Sequence, residues 1–331
     1  MTNLILSKYY KGKRVLIPGG AGFIGSNLAK KLVSCQAVCT IVDPFLKYCG
    51  SNNFNIKHII DDIELYKQSI ESFIAVKDIG AYDIIFNCIG LTDHFLGMVD
   101  PELDYRINCL SGLSLLRGLE KCKNSPKLIS IGSRTQYGKT AIKLISEAHP
   151  MRPTDVQSIH KVTSEHYQNI YAHKFGLDTV FLRLTNVYGP GQRLRGSNIG
   201  FMGEIIKNLL QGNMVTLYGT MERTKDILFI KDVISALVLL GMQKEHTFKV
   251  YNIGGQPCSM SDLAESIKNI MPQNVIKFKP FPDKIKNIGS DSFILNVNQI
   301  RKDVGWMPSI GINEGLSKTL DFYRSHAKYY L

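Results

Sequence analysis

The chain has 331 residues, a formal net charge of +12 and an ordinary globular balance of apolar and charged side chains. No apolar stretch approaches the ~20 residues that cross a bilayer, and the basic segment Met1 to Lys13 lacks the long apolar core of a signal peptide. The basic residues are scattered rather than run together, so the expectation is a cytoplasmic protein of two lobes whose partner is neither a membrane nor a nucleic acid.

Seven cysteines form an odd set with no metal-ligand rhythm, and Cys35 and Cys39 are expected on one side of a helix end. Reduced, mostly buried thiols and no bound metal are the expectation. Arg14 to Ile17 reads as a buried strand, followed by Gly19, Gly22 and Gly25 and an amphipathic helix through Leu28, Leu32 and Val33. Gly19 allows a sharp turn, Gly22 removes a Cβ from the path of a pyrophosphate, and Gly25 lets the helix pack close to the sheet. The helix N-terminus turns its free N–H groups toward the phosphates. A second strand, Val38 to Val42, ends in Asp43, placed to accept from ribose hydroxyls and to repel a ribose phosphate.

Pro44 to Ile56 reads as a loop beside that ribose, and Ile63 to Tyr66 as a third strand. A helix follows from Ser69 to about Ile79, and Asp83 to Gly90 is a fourth strand. Leu103 to Leu119 has helical periodicity, Lys127 to Ile131 is a fifth strand, Gln157 to Phe175 a long helix, and Thr179 to Leu184 a sixth strand. The alternation implies an α/β fold, a doubly wound parallel sheet of Rossmann type. From Asn186 the pattern loosens around Gly189, Pro190, Gly191 and Gly196. Helices are expected at Phe201 to Leu210 and Asp232 to Met242, and short strands at Val215 to Tyr218, Asp226 to Ile230 and Lys249 to Ile253. The expected division is a dinucleotide-binding domain over 1–185, to which 226–253 returns, and a smaller mixed α/β substrate lobe over 186–331. Ligands of such sheets bind outside the strand C-termini, where Gly90, Ser133 and Thr185-Asn186 fall.

These motifs resemble a family. The glycine turn, Asp43, Ser133-Arg134-Thr135-Gln136-Tyr137-Gly138, Lys161 with Glu165, and Arg183 to Gly191 are similar to the extended short-chain dehydrogenase/reductases, the NAD-dependent nucleotide-sugar epimerases and dehydratases. Tyr251 to Gly254 and Gly305-Trp306-Met307-Pro308 extend the likeness to nearly the whole chain. The resemblance implies NAD held by Gly19, Gly22, Phe23, Ile24, Gly25 and Asp43, with Cys88, Ile89, Gly90 and Asn108 along the cofactor. Ser69-Ile70 falls where the family has an acid and an apolar residue against adenine; here the acid is missing. Ser133 would bind the reacting sugar hydroxyl, Lys161 the nicotinamide ribose, and Thr92, Asn186 and Lys225 the nucleotide sugar. The resemblance also implies a homodimer paired through the helices of Leu103–Leu119 and Gln157–Phe175.

One departure concerns the chemistry itself. The family's base is a tyrosine four residues before the lysine, and that position is Gln157. Oxidising a C–OH to C=O sends a proton to a base, and an amide takes none at accessible pH. The alternatives are another base (Lys161, His94, Asp93 or a water), a partial reaction such as net oxidation, or a silent binder of NAD and sugar nucleotide. His160, beside Lys161, is expected to point away, and Tyr137 to be structural. A 4,6-dehydratase is disfavoured, because its Asp-Glu pair is replaced by Arg134-Thr135. The expected activity is NAD-dependent oxidation at C4 of a nucleotide-diphosphate sugar, as an epimerase or 4-dehydrogenase of surface-polysaccharide synthesis.

Overall fold

Val15, Leu16 and Ile17 are all fully buried, yet they do not share a core. Val15 and Ile17 join one apolar cluster and Leu16 another, on the opposite face. Alternate side chains of one strand thus enter two cores, which requires a sheet covered on both sides. In the computed structural model, which describes residues 3–196, 198–243, 247–280 and 293–331, that sheet has seven strands. They are β1 (Arg14–Pro18), β2 (Val38–Val42), β3 (Ile63–Tyr66), β4 (Ile84–Asn87), β5 (Lys127–Ser133), β6 (Thr179–Leu184) and β7 (Phe248–Ile253). Their spatial order is β7-β6-β5-β4-β1-β2-β3, all parallel. This is a doubly wound Rossmann-type α/β fold. The order reverses between β1 and β4, so the crevice for a ligand opens above their C-terminal ends.

The site-bearing helices are α1 (Phe23–Ser34), α2 (Ile70–Val76), α3 (His94–Val99), α4 (Pro101–Tyr105, Arg106–Leu110 and Ser111–Leu119) and α5 (Val156–Phe175). α4 corrects the sequence reading. It starts at Pro101, where the fixed proline φ suits a first turn, and Arg106–Leu110 is a π-helical turn carrying Asn108. α5 is capped by Asp155, which accepts from the Ser158 N–H at 2.8 Å, and ends on left-handed Gly176. Its buried face is mostly polar: Gln157, Lys161 and Glu165 recur every four residues, with Gln168 and Ala172 below. Ile159 and Ile170 are instead exposed.

Other boundaries moved. The loop expected over 44–56 contains a short helix, Asn53–Ile56, because the Asn52 side chain accepts from the Phe54 N–H. Cys39 lies within β2 rather than at a helix end. The fourth strand stops at Asn87, and the stretch after Asn186 holds a strand at Asn186–Tyr188. The latter joins Thr224–Phe229 and Gln256–Ser259 in a three-stranded sheet, while Phe248–Ile253 is the edge of the main sheet. Among the described residues no helix is long and apolar enough to cross a membrane.

Candidate active site

Gly19 leaves β1 with φ +73, and a Cβ there would lie 2.7 Å from the Cys88 carbonyl oxygen. A Cβ at Gly25 would meet the Gly19 carbonyl oxygen at 2.5 Å. Both positions therefore admit only glycine, and together they seat α1 directly behind the turn. A cavity of about 760 Å³ opens at this turn. Gly19, Gly22, Phe23 and Ile24 line it, while Gly25 lies behind them. The N-terminal N–H groups of α1 are without intrahelical acceptors, as in any first turn, and they form an anion seat.

Asp43 lies at one end of the cavity and is 2% exposed. Its carboxylate accepts from the Ala21 N–H (3.1 Å), the Phe45 N–H (2.9 Å) and the Ser51 hydroxyl (2.8 and 2.9 Å). Burial pushes its pKa up, against these donors. Sequence reasoning missed Ser51; its only signal was its position in the loop beside the ribose. Asp43→Ala strands two backbone N–H groups, and we expect it to cost about 1–3 kcal/mol of stability. Thermal melting checks this, and an unchanged midpoint contradicts it. Ser69 and Ile70 line the same end, with Ser69 capping α2 by accepting from the Ser72 N–H at 3.2 Å.

In the middle of the cavity, Cys88, Ile89, Gly90, Leu91 and Thr92 run out of β4. Asn108 does not line the cavity. From the π turn it donates to the Leu91 carbonyl (3.0 Å) and accepts from the Leu91 N–H (3.1 Å), fixing the wall from behind. Gln157 lines the cavity, is 4% exposed, and donates its amide to the same Leu91 carbonyl. Lys161 donates to the carbonyls of Ile131 (3.0 Å) and Ile89 (3.5 Å). Burial pulls its pKa down to about 8, with Asp104 opposing the shift.

Ser133 closes β5 and faces the cavity. Its hydroxyl oxygen accepts from Thr135 N–H (3.2 Å) and the Thr135 hydroxyl (2.9 Å), and its own N–H donates to Gln136 Oε1 (2.9 Å). Gln136 then donates to Glu165 (2.8 Å), which also takes Arg183 at 2.5 and 2.9 Å. Arg183 donates to the Tyr137 hydroxyl (2.7 Å), which donates to Asn252 (2.6 Å). Tyr137 is fully buried in this chain of bonds, and its burial raises its pKa. The network ties β5, β6, α5 and β7 behind Ser133.

His94 opens α3 and lines the cavity, as do Arg106, Asn186, Gln192 and Arg193. Its Nδ1 lies 3.2 Å from Asp155 Oδ2, within ion-pair range. That nitrogen is buried and makes no aligned hydrogen bond. Asp93 does not line the cavity; its carboxylate caps α3 through the Leu96 N–H (3.0 Å). His160 pairs with the buried Asp104 at 2.7 Å and is also outside the cavity lining. Lys225 lies outside it too, 5.8 Å from the Phe201 ring centre. Asn186 donates to the Asp226 carbonyl at 2.8 Å.

The geometry thus joins an anion seat, a buried carboxylate, a buried amine and a serine in one cleft. The sequence profile of the NAD dependent epimerase/dehydratase family matches residues 15–254. A putative UDP-glucose 4-epimerase of Methanocaldococcus jannaschii is 25% identical over 318 residues, spanning 94% of this chain and 99% of that protein. A dTDP-D-glucose 4,6-dehydratase of Dictyostelium discoideum is 26% identical, spanning 96% of this chain and 83% of that one. The Thermotoga maritima UDP-glucose 4-epimerase, solved with UDP-glucose, superposes with a TM-score of 0.83 at 25% identity, over 95% of this chain and 99% of its own. The Bordetella bronchiseptica enzyme WbmF, solved with NAD+, gives 0.78 at 25% identity, over 96% and 94% of the two chains. The cofactor is NAD, and the residues fit it. Gly22 faces the cavity, and a Cβ there would meet only the Gly19 carbonyl oxygen, at 3.2 Å. The anion seat and Asp43 stand in the order that pyrophosphate and ribose require.

Proposed function

The chain belongs to the NAD dependent epimerase/dehydratase family, and on that premise we propose that it oxidises a nucleotide-diphosphate sugar at C4, with His94 in place of the tyrosine as base. The observation that carries this reading is the common cavity: His94, Ser133, Gln157 and Lys161 line it together with the glycine turn. NAD held there would supply a two-electron acceptor for the hydride of C4. Ser133 holds the C4 hydroxyl, and His94 takes its proton. Lys161 holds the nicotinamide ribose, and Asp43 the adenine ribose. Gln157 orients the hydroxyl or its neighbour by hydrogen bonding and moves no proton. In an epimerase His94 would return the proton to the re-formed C4 hydroxyl; in a dehydrogenase it would pass the proton to solvent as the ketone leaves for polysaccharide precursors.

Support for His94 over Asp93 and Tyr137 is positional. Asp93 is spent on the cap of α3, and Tyr137 is sealed in the network behind Ser133. A second reading, a silent binder of NAD and sugar nucleotide, is favoured by Gln157 alone. Turnover assays with UDP- and dTDP-sugars plus NAD, read by mass spectrometry for loss of two hydrogens and by NMR for epimers, separate the two. Product formation supports the enzyme, and binding without product supports the silent form.

We also propose a homodimer paired through α4 and α5. The exposed Ile159 and Ile170 on α5 support it. Sedimentation is expected to give twice the chain mass, and Ile159→Glu with Ile170→Glu to halve it. A wild-type monomer contradicts the pairing.

A further inference from the structure

The carboxylate of Asp155 divides its two oxygens between two tasks. Oδ1 accepts from the Ser158 N–H at 2.8 Å and starts α5, the helix that carries Gln157 and Lys161. Oδ2 faces Nδ1 of His94 at 3.2 Å. We propose that Asp155 is the positioning residue for His94: its carboxylate holds the proton on Nδ1 and leaves Nε2 as the nitrogen that accepts the sugar proton. This rests on the C4-oxidation reading above.

Three observations converge on it. His94 Nδ1 is a buried nitrogen with no aligned partner, so Asp155 is the group that faces it. The ring is nevertheless partly open, with the side chain 37% exposed, and it lines the cavity, so its remaining edge is the accessible one. Asp155 is held ionised: burial works to raise its pKa, but His94 and the Ser158 N–H outweigh this and lower it. A carboxylate beside one imidazole nitrogen selects the tautomer with its proton there, which makes the far nitrogen a proton acceptor. A loose contact in the ligand-free protein tightens when substrate is in place.

The arrangement also couples the base to its surroundings. The cap at Oδ1 fixes the first turn of α5, and Gln157 in that turn grips the Leu91 carbonyl three residues before His94. One carboxylate therefore registers α5, the wall after β4 and the imidazole together. The comparable pair joins His160 of α5 to Asp104 of α4, and neither residue lines this cavity.

The test uses the full chain with NAD and the probes UDP-glucose, UDP-galactose, UDP-N-acetylglucosamine and dTDP-glucose. Asp155→Asn keeps an oxygen to cap α5, but its amide N–H facing Nδ1 forces the imidazole proton to Nε2. We expect kcat to fall by about 10²–10⁴-fold, with KM and the melting midpoint unchanged. Long-range ¹H–¹⁵N NMR is expected to find the His94 proton on Nδ1 in the wild type and on Nε2 in the variant. Asp155→Ser, a second cap-preserving change, is expected to lose less, because it leaves the tautomer free. Wild-type kcat in Asp155→Asn, or one and the same His94 tautomer in both proteins, overturns the positioning role while the oxidation reading stands. A wild type inert on every probe overturns both. A loss confined to KM or melting marks Asp155 as a helix cap only and also overturns the proposal.

Discussion

His94→Ala lowers kcat on nucleotide sugars by about 10²–10⁴-fold, the usual worth of a general base, while NAD affinity stays at the wild-type level. The imidazole enters the cavity from α3, after β4, whereas the glycine turn follows β1 and Asp43 follows β2. The loss is reversible by a specific second change. Gln157→Tyr in the His94→Ala background puts a phenol four residues before Lys161, one turn away on the same face of α5. A phenol has an ordinary pKa of about 10, and a nearby ammonium lowers it. We expect the double variant to recover at least tenfold over His94→Ala. An alanine variant with full activity contradicts the role of His94. A double variant that melts like the wild type but recovers nothing shows that the Lys161 side of the cavity no longer supports tyrosine chemistry.

Lys161→Met separates stability from function in opposite directions. The ammonium is 8% exposed, and burial brings its pKa from 10.5 to about 8. A folded-state pKa depressed in this way means that the charged form is penalised in the native protein. Below about pH 8 the penalty is full. Between about 8 and 10.5 the unfolded chain binds the extra proton, so the penalty fades as pH rises. Methionine fits a similar volume without a charge. Against this gain, the Ile131 carbonyl loses its donor, at about 1 kcal/mol. We expect the variant to be about 1–2 kcal/mol more stable at pH 7, with the difference shrinking as pH rises through 8–10.5. We expect at least a tenfold loss of NAD affinity and a hundredfold loss of turnover. Denaturant titrations at pH 7 and 10 beside calorimetric NAD titrations measure both. A variant destabilised at pH 7, or one that binds NAD normally, contradicts this description of Lys161.

The sheet was legible in the sequence because its strands are short apolar runs closed by glycine or a polar residue. Ile84 to Asn87 and Thr179 to Leu184 are buried along their whole length, so no alternating pattern had to be resolved. α5 was legible in extent but not in orientation. Apolar periodicity points to Ile159 and Ile170, which the structure leaves exposed, while the buried stripe is Gln157, Lys161 and Glu165. A polar stripe buries only when partners satisfy it, and those partners come from β5, β6 and the segment after β4, far away in the chain. The π turn of α4 was illegible for a similar reason: the Leu91 backbone meets Asn108 there from 17 residues away. Asp155 had a local signal, an acid three residues before Ser158 at a helix start, but its contact with His94 arises only when α3 and α5 pack together.

The most direct measurement follows a deuterium label from C4. Wild-type protein is incubated with NAD and C4-deuterated UDP-glucose, UDP-galactose, UDP-N-acetylglucosamine or dTDP-glucose, and sugar and cofactor are read by mass spectrometry and NMR. C4 oxidation predicts that with at least one sugar the label moves into the reduced nicotinamide or returns to C4 with inverted configuration, and that His94→Ala abolishes the transfer. Label that stays at an unchanged C4 in the wild type with every sugar, yet moves in Gln157→Tyr, contradicts the account and identifies a silenced enzyme.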